Sequence, residues 1–93
     1  MSTTTASERT VTIVNKNGLH ARPAAEFVKL ANTFRSDVFV KKDDLEVNGK
    51  SIMGMMMLAA ECGATITIRA AGADAATAVE GLADLVSRRF GED

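Results

Sequence analysis

Three stretches of this chain can form helices that are apolar on one side only, and that asymmetry limits what the chain can fold into. Ala24, Phe27, Val28, Ala31 and Phe34 recur at i, i+3, i+4 spacing while Glu26, Lys29 and Asn32 face away. A shorter helix starts at Ser51, its cap, and runs to about Ala59, with Gly63 expected to terminate the region. Asp74 caps the last, in which Ala78, Val79, Leu82 and Val86 form the stripe to be buried; Arg88 and Arg89 suit its negative end. Shorter segments between them read as strands: Thr10 to Val14, Asp37 to Lys41, Leu45 to Val47, and Thr65 to Ala70 with Ile66 and Ile68 inward. Lys42-Asp43-Asp44 is short enough for a hairpin. A one-sided helix must bury that side against another layer. The order strand–helix–strand–strand–helix–strand–helix therefore predicts helices over one face of a single sheet, an α+β arrangement. The opposite sheet face, rich in Thr, is left to water.

Length and charge narrow the function. Ninety-three residues suffice for one core. The Thr-rich stretch Met1 to Ser7 reads as a flexible leader, so the domain is expected over residues 10–93 behind a leader at 1–9. That leader has no apolar run and does not read as a signal peptide. No stretch approaches the ~20 apolar residues of a membrane span. With 11 basic and 12 acidic residues the net charge is −1, which gives no field to gather nucleic acid. An RNA-binding sheet would also need stacking aromatics, and the chain has four Phe, no Tyr and no Trp. Cys62 is the single cysteine, expected as a small semi-buried hydrophobe in a reducing, cytoplasmic setting. Walker-type glycine loops, paired catalytic carboxylates and metal-ligand clusters are all missing from the sequence, so neither an autonomous hydrolase nor a kinase is expected, and no cofactor or metal.

The chemistry concentrates at Gly18-Leu19-His20-Ala21-Arg22-Pro23. It holds the only histidine of the chain, placed where a loop becomes the first helix. The opening turn of a helix leaves backbone N–H groups unpaired and carries positive dipole charge, so it attracts anions. Pro23 fits that turn because its missing N–H costs nothing there. Arg22, two positions past the imidazole, can offer a bidentate fork to phosphate oxygens. Helix-terminus stabilisation of about 0.3–2 kcal/mol holds a charge without trapping it. A nucleophilic nitrogen in this setting suits a phosphoryl group that is accepted and passed on.

These residues resemble the active-site signature of HPr, the histidine-containing phosphocarrier family of the bacterial phosphoenolpyruvate-dependent phosphotransferase system. Asn48-Gly49-Lys50-Ser51-Ile52-Met53-Gly54-Met55-Met56 is similar to that family's second signature, its regulatory serine region. The resemblance spans roughly Thr10 to Phe90. It implies an open-faced β-sandwich, a four-stranded antiparallel sheet of order 1-4-2-3 with three helices on one face. It also implies that His20 receives a phosphoryl group on Nδ1 from enzyme I and hands it to a IIA-type protein, with Arg22 as the active-site arginine. The carrier is then a stoichiometric relay rather than an enzyme, and by default a monomer. The chain departs from the family's pattern in its longer leader and in Ala25, where many relatives carry a hydroxyl.

By the same resemblance, Ser51 is a site for an HPr kinase/phosphorylase, while on its own residues it reads as a helix cap worth about 1 kcal/mol. The apolar residues of the short helix cannot all point inward. Ile52, Met53 and Met56 are expected on a docking surface by family analogy, with Met55 and Leu58 packed inside and Lys29 and Lys50 as a basic rim. The alternative reading is a nitrogen-branch or regulatory paralogue that works mainly by docking.

Overall fold

The computed structural model describes residues 5–91, ordered as β1 (Ala6–Thr12), α1 (Ala21–Ala31), β2 (Asp37–Lys42), β3 (Leu45–Asn48), α2 (Ile52–Met57), β4 (Thr65–Ala71) and α3 (Ala75–Ser87). The four strands form one antiparallel sheet of order β1-β4-β2-β3, with α1, α2 and α3 packed on one side. This is the open-faced sandwich expected. Its register explains the two faces. Val38, Val40, Val47, Ile66, Ile68 and Ala70 project to the helix side and are buried. They meet Phe27, Met55, Leu82 and Val86 from the helices.

The open face is polar and internally paired. The Thr10 and Thr67 hydroxyls lie 3.1 Å apart across β1 and β4. Arg69 donates to Glu46 at 3.2 Å and stacks 4.3 Å from the Phe39 ring centre, so the half-buried aromatic is roofed by a cation. Such pairs hold neighbouring strands in register.

Several boundaries differ from the sequence reading. β1 begins at Ala6 and ends at Thr12, so residues 6–9 belong to the sheet rather than to a leader. The polar strand is recruited by the apolar β4: Ser7 pairs with Ala70 and Arg9 with Ile68. The Thr5 carbonyl accepts from the Gly72 N–H at 2.8 Å, and residues 1–4 of the expected leader lie outside the described residues. α2 stops at Met57, short of Ala59, and it is Ala59 that turns left-handed (φ 48); Gly63 shapes the following turn instead. Cys62 is exposed rather than semi-buried, because the inner position of its turn is taken by Ala60.

Asp74 stands at the start of α3 as expected, but its side chain does not cap that helix. The carboxylate instead accepts from the Ser36 hydroxyl and from the backbone N–H groups of Arg35 and Ser36, both at 2.9 Å. It thereby ties α3 to the α1–β2 connection. The Ser36 hydroxyl foremost, with the Arg35 amide, lowers the carboxyl from its ordinary 3.8 to about 2. At the other end, Arg88 terminates α3 and pairs with Asp84 at 2.8 Å. Arg89 and Phe90 both turn left-handed (φ 58 and 55), and the Phe90 ring ends buried in the core. Burial of a large ring offsets that local strain.

Candidate functional site

Two constraints set His20: a tethered loop before it and a helix after it. The loop is sewn to the turn preceding β4. The Ile13 N–H donates to the Ala64 carbonyl at 2.8 Å, and the Gly63 N–H donates to the Ile13 carbonyl at 2.7 Å. The Leu19 N–H donates to the Ala60 carbonyl at 2.8 Å. Gly18 passes through this junction at φ 67, and a Cβ there would sit 2.6 Å from the Ala60 carbonyl oxygen. Glycine is required twice over, by conformation and by space.

Asn15 closes the turn from inside. It is fully buried, its Nδ2 donates to the Gly18 carbonyl at 2.7 Å, and its own carbonyl accepts from the Gly18 N–H at 3.1 Å. Nothing in its residue type distinguishes Asn15 from any other turn asparagine. Its only written signal is the three-residue interval to Gly18, which suits an Asn side chain bonding back to the turn.

His20 then occupies the N-cap of α1 in extended backbone (φ −81, ψ −170), and its carbonyl accepts from the Ala24 N–H at 3.0 Å. Its side chain makes no capping bond to the helix. The imidazole is half-buried, whereas Arg22 is exposed and Pro23 is packed against the core. By position, the Ala21 and Arg22 amides have no carbonyl of their own helix to bond, and Pro23 has no N–H. Neither acidic residue type occurs in the first turn of α1. The helix start thus gathers an imidazole, two first-turn amides and an exposed arginine over three consecutive positions, residue types that suit a phosphoryl dianion.

A hollow of about 570 Å³ between β1 and α3 is lined by Arg9, Glu80 and Asp84 among others, and a second of about 280 Å³ by Lys29 and Arg88 among others. Neither includes His20, Arg22 or Ser51. An open setting suits a group that must meet large partners.

Ser51 caps α2 as its sequence suggested, its hydroxyl accepting from the Gly54 N–H at 3.1 Å. α2 is strung between the two ends of α1. At its start Asn32 donates to the Lys50 carbonyl at 3.4 Å, and beyond its end Ala60 receives the Leu19 amide. Met55 and Leu58 are buried, as expected; Ile52, Met53 and Met56 are exposed, and so is Met57, which sequence reading left unassigned. Lys29 is exposed, but Lys50 is not a free rim charge: its Nζ donates to the Phe34 carbonyl at 2.8 Å and braces the end of α1.

Comparison with known proteins decides the family. The family model described as the PTS HPr component phosphorylation site matches residues 7–88. The chain belongs to the HPr phosphocarrier family. It is 49% identical over 85 residues to the phosphocarrier protein HPr of Neisseria meningitidis, covering 91% of this chain and 96% of that one. The crystal structure of HPr from Thermoanaerobacter tengcongensis superposes with a TM-score of 0.90 at 47% identity, covering 94% of this chain and 98% of that one. The HPr-like protein Crh of Bacillus subtilis is 55% identical over 71 residues, covering 76% and 84% respectively. Family membership agrees with the sheet order, with the two signatures around His20 and Ser51, and with a carrier role.

Proposed function

We propose that His20 is the phosphoryl-carrying residue, loaded by phospho-enzyme I and unloaded onto a IIA-type protein. What carries the reading is the start of α1: an accessible imidazole outside the core, not spent on capping, beside Arg22 and two first-turn amides. The Nδ1 lone pair attacks phosphorus as the donor's P–N bond breaks, and the imidazole N–H proton is then lost. Arg22 and the amides of Ala21 and Arg22 receive the dianion. In the reverse sense the same contacts release it, since exposed helix-terminus stabilisation amounts to about 0.3–1 kcal/mol. The exposed side chains Ile52, Met53 and Met56 form the docking surface, with Lys29 on its rim. The carrier acts as a cytoplasmic monomer, turns over nothing by itself, and would answer to an HPr kinase/phosphorylase at Ser51. A phosphate there would add about −1.5 to −2 charge at the start of α2, and would displace the hydroxyl's bond to Gly54.

The test is incubation with phosphoenolpyruvate and enzyme I, followed by mass spectrometry. Wild type gains one acid-labile phosphoryl group, His20→Ala gains none, and Arg22→Ala gains it about tenfold or more slowly, the loss of a charge-assisted fork. A wild-type protein left unmodified would overturn the reading. The identity to Crh favours a second reading, a regulatory paralogue that acts through its docking face and the Ser51 region. Ser51 phosphorylation by an ATP-dependent kinase, with no transfer to His20, would select it.

A further inference from the structure

We propose that Met53, Met56 and Met57 form a peroxide-sensitive patch whose oxidation to sulfoxides switches off docking through α2, an inference that rests on α2 being the docking face. Four of the five methionines of the chain fall within Met53–Met57, and the helix separates them sharply. Met53, Met56 and Met57 are 77%, 46% and 64% exposed, while Met55 is fully buried. Residues at i, i+3 and i+4 share a helix face, so the three open thioethers lie within one turn of each other. Thioether oxidation follows exposure.

The step balances with a hydroperoxide as the named oxidant. A sulfur lone pair takes the distal oxygen, the O–O bond breaks, and the departing oxygen leaves as water or alcohol with the peroxide proton. Sulfur loses two electrons and the peroxide gains them. The product is a polar S=O acceptor where a soft apolar group stood. Docking would bury that acceptor without a donor, which opposes association; a thiol-dependent methionine sulfoxide reductase restores the thioether. Among the described residues the core's one methionine, Met55, is out of reach, so docking is lost while the fold persists. That separation makes the patch a switch rather than a site of denaturing damage.

The experiment uses full-length Cys62→Ser protein, which removes the exposed thiol. Hydrogen peroxide is added, peptide mapping locates each oxygen, circular dichroism follows the fold, and enzyme I kinetics report KM and kcat separately. Met53, Met56 and Met57 should each gain one oxygen before Met55, with the dichroism unchanged. KM should rise at least about tenfold at constant kcat, the size expected for stranded buried acceptors, and a sulfoxide reductase should reverse it. A variant with all three changed to Leu, compared with itself before and after peroxide, should show no peroxide-dependent change. An unmoved KM after complete oxidation overturns the switch. Met53→Glu in unoxidised protein separates the two claims. If it raises KM while oxidation does not, only the switch fails; if it too leaves KM unmoved, α2 is not the docking face and both fall.

Discussion

α1 and α2 both begin on a residue in extended backbone, yet they treat that residue in opposite ways. Ser51 spends its hydroxyl on the Gly54 amide, so the start of α2 is closed by its own side chain. His20 makes no such bond, and the start of α1 is held from outside, by the Ala60–Ala64 turn and by Asn15. A side-chain cap there would occupy the first-turn donors that the proposed phosphoryl group uses. The start of α1 takes its rigidity from long-range backbone bonds instead. α3 offers a third solution, in which Asp74 stands at the helix start but binds the α1–β2 connection.

The contrast can be broken most severely at Gly18. Gly18→Ala combines a left-handed backbone with overlap against Ala60 and Glu61, and should cost about 2–4 kcal/mol in urea unfolding. Residual folded protein should accept phosphate poorly, because His20 is no longer presented. A variant of wild-type stability would mean that the loop is not clamped. A smaller effect separates the two helix starts. Ser51→Ala should lower stability by about 1 kcal/mol with phosphoryl transfer to His20 retained. His20→Ala should cost less stability than Ser51→Ala, because the His20 side chain makes no capping bond to its helix, while abolishing transfer. Equal stability losses at both positions would erase the distinction.

The least effect near neutrality is expected at Asp74. Its carboxyl is lowered from 3.8 to about 2, so its contribution is complete above about pH 4 and is lost as pH falls through 3.8 toward 2. Acid unfolding of wild type should therefore steepen across that window. Asp74→Asn should be less stable at pH 7 and should lack that part of the slope; a superimposable acid limb would contradict the network.

How far the sequence reached follows from what kind of force sets each feature. Periodic burial was readable: Phe27, Val79, Ile66 and Ile68 face the core because spacing alone aims them there. The helix mouth was readable too, since Gly18, His20, Arg22 and Pro23 are local chemistry. Features decided by distant partners were not. Ala6 to Arg9 have little strand character and are enrolled by β4. By sequence Lys50 is a surface charge and Asp74 a cap, but the Phe34 carbonyl and the Ser36 hydroxyl, distant along the chain, engage them instead. Cys62 was misjudged because a small apolar residue in a turn has no periodicity to orient it. Asn15 was missed because its burial depends on the turn before β4 folding over the loop.

The central claim is that the start of α1 is left uncapped so that it can receive phosphate. Amide NMR before and after phosphorylation tests it directly. The claim predicts a phosphoryl group on His20 Nδ1, with large downfield shifts at the Ala21 and Arg22 amides and little change at Gly54. Phosphorylation of His20 that leaves the Ala21 and Arg22 amides unmoved would contradict it.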